Sequence, residues 1–278
     1  MSQEYARLKG FLDCVRAKTN FVPQVALVLG SGLGGFADSH VDSACTVPYS
    51  EISGFPVSTV VGHAGRFVFG HIGGVPVVVM QGRVHYYEGY PMGDVVAGVR
   101  LMRLLGAKTL FLTNASGGIN RRFYPGAFML IEGQISSFVP SPLIGENVDE
   151  LGPRFPDMSA VYSPRLREII RAEAKALDIE LLSGVYLQVG GPNFETPNEI
   201  EMFRTLGADA CGMSTAVEAI AARHAGMEVC GISCVSNLAA GMSKTALSHE
   251  EVQETANRVS RQFAALVSGS IARFGKEG

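Results

Sequence analysis

The 278-residue sequence has no tryptophan, and its five cysteines (Cys14, Cys45, Cys211, Cys230 and Cys234) form no CxxC pair. An odd, scattered set of that kind excludes a disulfide framework and a zinc ribbon. It predicts buried, reduced thiols, as in a cytoplasmic protein. Charge of either sign is scarce: 23 Lys and Arg stand against 26 Asp and Glu, a formal net charge of −3. No field of that size recruits nucleic acid or an anionic membrane, so any bound anion must be caught by a local site. There is no run of 18 apolar residues and no signal-peptide core at the N-terminus, so the expectation is a chain with no membrane span. Repeats and low-complexity linkers are missing as well, and at 47% hydrophobic the composition is that of a folded chain. A chain this long can bury about 75% of its unfolded surface without a metal or disulfide staple.

What is present is an alternation of strand, loop and helix over the whole length, which predicts one α/β domain over residues 1–278. Residues 3–19 have a helical apolar face. Val25 to Leu29 is a continuous apolar run, the mark of a strand buried on both sides. Residues 66–72 and 75–80 read as a hairpin around Gly73 and Gly74. A helix is expected over 92–105, strands at 109–113, 128–131, 181–189, 208–213 and 228–235, and a helix over 215–225. Ser163-Pro164 and Thr196-Pro197-Asn198-Glu199 each read as a helix start, with an N-cap hydroxyl and proline in the first turn. Ser248 and Glu251 read as a capping box for the last helix. Residues 139–160 hold four prolines and have no period. A stretch of that length suits a lid, a binding loop or an intersubunit arm.

Gly30-Ser31-Gly32-Leu33-Gly34-Gly35 follows the first strand and can be written as a dinucleotide fingerprint. The next residues hold too few apolar positions for the crossover helix that fingerprint requires. Two readings remain for the loop, a tight turn or a cradle of backbone N–H groups for one phosphate. Gln81 to Gly89 begins where an apolar strand ends, the place where open α/β sheets put ligands. If the chain stays extended there, Arg83, His85 and Tyr87 share one face, and arginine supplies a planar fork for an oxyanion. Asn114 to Gly118 and Gly212 to Thr215 repeat the pattern of strand end followed by small residues, although Ser214 also reads as a plain helix cap. Ser31, Arg83, His85, Ala115 and Ser214 are therefore expected to converge at one sheet edge around a phosphate-sized pocket. His63, His85 and His249 have no metal-ligand spacing, so no metal is expected.

In order and spacing, GSGLG at 30–34, GHAG at 62–65, GRVHYYEG at 82–89, TNASGG at 113–118, GPNFETPNE at 191–199, GMST at 212–215 and SNLAAG at 236–241 resemble the trimeric purine nucleoside phosphorylases from about residue 21 to the end. The resemblance implies a mixed, partly barrel-like central sheet flanked by helices, a homotrimer, and reversible phosphorolysis of purine nucleosides without a cofactor, inorganic phosphate being a co-substrate. It implies that Ser31, His63, Arg83, His85, the backbone N–H of Ala115 and Ser214 hold phosphate. Tyr87, Met213 and His249 would face the ribose. Phe194, Glu195 and Asn237 would hold the purine, with Phe155 reaching in from a neighbouring subunit. His85, Glu195 and Asn237 would carry the chemistry.

The residue types suit that chemistry. Cleaving the N-glycosidic bond puts positive charge on the ribose, which a phosphate dianion below it stabilises, and negative charge on the purine, which needs a donor at N7. Asn237 can donate to N7 and tolerate a 6-oxo group, and Glu195 can accept from N1–H, so inosine and guanosine, with xanthosine, are expected over adenosine. Taken alone, Phe194 reads as core and Glu195 as a charge ordering the following helix. Competing functions are a methylthioadenosine phosphorylase, a non-catalytic nucleoside-binding protein and a dinucleotide oxidoreductase. Gly133-Gln134 stands where the resembled family often has Asp-His, Val217 where it usually has Pro, and Ser236 where some members have Thr.

Overall fold

The computed structural model describes residues 2–30, 33–60, 64–243 and 249–275, the side chains of 249–251 excepted. From the N-terminus the chain runs α1 (Gln3–Arg16), β1 (Val25–Val28), α2 (Phe36–His40), β2 (Asp42–Pro48), β3 (Arg66–Ile72), β4 (Val75–Gln81), α3 (Met92–Val95) and α4 (Ala97–Leu104). It continues through β5 (Thr109–Gly118), β6 (Phe128–Ile135), α5 (Pro164–Ala176), β7 (Leu181–Gln188), α6 (Pro197–Thr205), β8 (Ala210–Gly212), α7 (Ala216–His224), β9 (Glu228–Leu238) and α8 (His249–Phe274).

Every residue of β1 is buried because the strand lies between two layers of helices. Ala26 and Val28 point into a core shared with Leu8 and Phe11 of α1, Leu101 of α4 and Ala222 of α7. Val25 and Leu27 point into a second core with Ile170 of α5 and Leu266 and Ile271 of α8. Successive side chains of a strand face opposite ways, so a strand covered on both sides must be apolar throughout.

Strand order is β2-β3-β4-β1-β5-β8-β7-β6-β9, and β9 pairs back onto β5. The last five strands therefore close into a barrel, and the first four form an open wing on it. One strand serves both parts. β5 pairs in parallel with β1 only over Thr109–Leu112 and antiparallel with β8 only at Gly117 and Gly118. Between them, Thr113 to Ser116 keep their pairing with β9 on one edge, while the other edge is covered by neither β1 nor β8. The opening that results is where the wing and the barrel part.

Both predicted helix caps form. Ser163 Oγ accepts from the Leu166 N–H at 3.4 Å, and Thr196 and Glu199 exchange the two bonds of a capping box. The Ser248–Glu251 box lies outside the described residues. Several elements differ from their sequence-based bounds. α1 stops at Arg16, three residues early. The helix expected over 92–105 is interrupted at Val96, whose ψ of 0° leaves the α region. β2 has no counterpart in the sequence reading: it is an edge strand with exposed Asp42, Ser43 and Ala44, so it lacks an apolar alternation.

Residues 139–160 form no helix or strand, yet they are pinned. Arg100 Nη2 donates to the Pro142 carbonyl at 3.1 Å, the His224 ring meets Asn147 Oδ1 at 3.3 Å, and Val148 is buried. The departures from the family pattern are also built in. Gln134 accepts from the Tyr162 hydroxyl at 2.9 Å and donates to the Ala216 carbonyl at 3.2 Å. Val217 N–H donates to Gln188 Oε1 at 3.0 Å, a bond that proline could not make.

Candidate active site

A cavity of about 310 Å³ occupies the opening beside β5, within the usual range of small-molecule sites. Its lining includes Arg83, His85, Tyr87, Ala115, Phe194, Glu195, Met213, Ser214 and Asn237. Nine of the expected site residues are thus brought together from five stretches of chain. Ser31, His63 and the side chain of His249 lie outside the described residues, although Val252, three residues along α8 from His249, lines the cavity. Phe155 does not line it; its side chain is 89% exposed on the 139–160 segment.

Gly30 ends the strand before the glycine loop because nothing larger fits. A Cβ there would lie 2.6 Å from Asn114 Cα and 2.7 Å from the Thr113 carbonyl oxygen. The route after β4 differs from the extended path expected for Arg83, His85 and Tyr87. A 3₁₀ turn covers Tyr86–Glu88, and it is the turn that brings His85 and Tyr87 to the cavity, their rings stacked at 4.7 Å. Glu88 holds the turn. Its carboxylate accepts from the His85 backbone N–H at 2.7 Å and meets the His85 Nδ1 at 3.1 Å. Burial raises the Glu88 carboxyl, but bonds from His85 and Thr59 outweigh it and bring the pKa from 4.5 down to about 2. Glu88 is therefore an acceptor at neutral pH, and His85 Nδ1 must carry a proton. Burial and the Glu88 charge push the Tyr87 phenol up to about 12, so it stays neutral.

Arg83 is 1% exposed. Its Nη1 donates to Ser214 Oγ at 2.6 Å and to Thr215 Oγ1 at 3.0 Å, its Nη2 donates to the Thr113 carbonyl at 2.7 Å, and Glu218 Oε2 lies 3.3 Å from Nη1. Ser214 is not the cap of α7. The N-cap is Thr215, with φ of +83°, and Glu218 accepts from its backbone N–H at 2.9 Å. A β-branched residue at positive φ costs about 1–3 kcal/mol, and the surrounding bonds must hold it there.

The third group is set for a flat, polar ligand. Asn237 Oδ1 accepts from the Ser236 hydroxyl at 2.8 Å, and Nδ2 donates to the Leu238 carbonyl at 3.0 Å. One amide N–H of Asn237 remains for the cavity. Burial raises the Glu195 carboxyl above its usual range, and the Cys211 thiol, hydrogen-bonded to it, pulls the other way. Phe194 is 41% exposed, so the reading of it as core is wrong: it flanks the cavity. The capping-box acid of the following helix is Glu199, and Glu195 lines the cavity just before that helix.

Sequence reasoning missed Thr215, Glu218, Asn114, Glu88 and Cys211. Thr215 and Glu218 had a signal in their T-x-x-E spacing, the capping-box pattern. Glu88 and Cys211 had none, since only the turn and the barrel closure bring them to the site. Among the described residues, no three His, Cys, Asp or Glu side chains cluster as a metal site, and no helix is long and apolar enough to cross a membrane.

The family model of the phosphorylase superfamily matches residues 24–272. The chain is 50% identical to purine nucleoside phosphorylase 1 of Geobacillus stearothermophilus over 91% of its own length and 92% of that protein's. It is 45% identical to purine nucleoside phosphorylase of Bos taurus over 92% of each chain. The crystal structure of Schistosoma mansoni purine nucleoside phosphorylase in complex with inosine superposes with a TM-score of 0.91 at 35% identity, covering 96% of both chains. A mixed sheet closed on itself, a cavity beside its shared strand and this degree of likeness agree, and the chain belongs to the phosphorylase superfamily as a member of the purine nucleoside phosphorylase family.

Proposed function

We propose that the protein catalyses phosphorolysis of 6-oxopurine nucleosides and their deoxy forms, giving the free base and α-(deoxy)ribose 1-phosphate, in cytoplasmic purine salvage. The observation that carries this is one cavity whose lining changes along β5: at one end Arg83 bonds to Thr113 and to Ser214, and at the other Asn237 and Cys211, the latter bonded to Glu195, pair with Gly117. Phosphate fits the first end, where a buried arginine, a serine hydroxyl and the N–H of Ala115 meet, with Ser31 and His63 completing the cradle. His85, protonated at Nδ1, accepts from a protonated phosphate oxygen through Nε2, or donates when charged. Purine fits the second end. Asn237 offers its remaining N–H to N7, where charge develops as the bond breaks, and Glu195 accepts from N1–H. Tyr87, Met213 and His249 enclose the ribose between them, with Phe194 beside the base. Phosphate then lies beneath C1′, stabilises the developing cation and attacks it. No resident cofactor is needed, since phosphate is itself the nucleophile.

A homotrimer completes this reading. Phe155 is too exposed to serve its own cavity, and a pinned loop carrying it outward suits insertion into a neighbour's site. The decisive experiment measures hypoxanthine release from inosine with and without phosphate. Release is expected only with phosphate, and Arg83→Ala should lower kcat/KM for phosphate about 100-fold. Phosphate-independent release, or faster turnover of adenosine or methylthioadenosine than inosine, overturns it.

A further inference from the structure

Behind Ser214 a set of buried hydrogen bonds centres on Thr215. Asn114 Oδ1 accepts from the Ser233 hydroxyl at 2.5 Å, and Asn114 Nδ2 donates to Thr215 Oγ1 at 2.8 Å. Thr215 Oγ1 also accepts from Arg83 Nη1 at 3.0 Å and lies 3.1 Å from Ser214 Oγ. Ser214 Oγ accepts from Arg83 in turn and lines the cavity. Glu218, 1% exposed, neutralises Arg83 from below and holds the Thr215 backbone N–H.

We propose that Thr215 is a positioning residue for phosphate: backed by Asn114 and Ser233 and held by Glu218, its hydroxyl fixes Arg83 and Ser214 where the two meet the anion. This rests on the assignment of phosphate to that end of the cavity. It also explains why a β-branched residue is kept at positive φ: with the backbone bent there, Thr215 Oγ1 reaches Arg83, Asn114 and Ser214 together.

The test compares KM for phosphate at saturating inosine with KM for inosine at saturating phosphate. Thr215→Gly removes the hydroxyl while relieving the backbone. It should raise KM for phosphate about tenfold and leave KM for inosine within about twofold. Thr215→Ser should recover most of that loss. Ser233→Ala, behind the cavity wall, should raise the phosphate KM in the same direction by about threefold. Glu218→Gln should also raise it. Equal changes in both KM values, or an unchanged phosphate KM in Thr215→Gly, overturn the proposal, as does tighter phosphate binding in Glu218→Gln, which would mark Glu218 as a mere counter-charge. If the unaltered enzyme shows no phosphate-dependent cleavage, the phosphate assignment itself fails, which is a separate result.

Discussion

Glu195 and Glu88 are two carboxyls at one cavity, moved in opposite directions. Glu88 is drawn down to about 2 by the bonds it accepts. The hold it exerts on His85 is complete above 4.5 and lost only as pH falls through about 2, below any working range. Glu195 is pushed up by burial, so its carboxylate is protonated at a pH above that of an ordinary glutamate, and with it goes the acceptor for N1–H. The acid limb of kcat/KM for inosine should therefore lie above 4.5 and be absent in Glu195→Gln. Because the Cys211 bond is one of the forces lowering that pKa, Cys211→Val should move the limb to still higher pH. A pH–rate series at saturating phosphate checks this; a limb that stays in place in Cys211→Val removes the thiol from the account. Cys211 is thereby a tuning group held against Glu195, and burial keeps the thiol itself protonated.

Among the elements, α7 has the most tasks. Its first turn holds Arg83 through Glu218, and its last residue supports the 139–160 segment. Gly152 is seated against that end of α7 so closely that a Cβ would run into the His224 carbonyl oxygen. Gly152→Ala should force the segment off its seat and cost about 1–3 kcal/mol in chemical denaturation, as overpacking does elsewhere. Stability unchanged from the parent protein would show that the segment is not held at this point. The neighbouring bonds, from Arg100 to Pro142 and from His224 to Asn147, hold the same segment elsewhere, so the loss should be local.

At the scale of the whole molecule, the feature to explain is Phe155, a large apolar ring 89% exposed beside the pinned loop, with the Arg154 guanidinium over it at 5.6 Å. Exposure of one such ring is ordinary, but its burial in a partner's site would make two subunits share one cavity. Phe155→Ala should then raise KM for inosine about tenfold, the worth of burying an aromatic side chain, while KM for phosphate stays the same. Steady-state kinetics with light scattering separates this from loss of assembly. An unchanged inosine KM in an intact oligomer rejects the sharing of sites.

Much of the architecture was legible residue by residue. The doubly covered strand β1, the β3–β4 hairpin, and the helix starts at Ser163 and Thr196 follow from apolar runs, paired glycines and capping hydroxyls, which act over a few neighbouring residues. The motifs that hold Arg83, His85, Glu195, Ser214 and Asn237 were visible for the same reason: their backbone surroundings are local. β2 was not legible, since an exposed edge strand needs only its neighbour β3 and has no pattern of its own. The turn at Tyr86–Glu88 depends on bonds to Glu88 that include Thr59, 29 residues earlier. Sequence by itself determined the strands other than β2, two helix caps and the residue types that could grip an anion and a base. Only the tertiary structure decided that β5 is shared between wing and barrel, so that its edge opens a cavity, and that Glu88 and Cys211 reach that cavity's residues. Those outcomes depend on which distant segments meet, and local preferences along the chain do not contain that information.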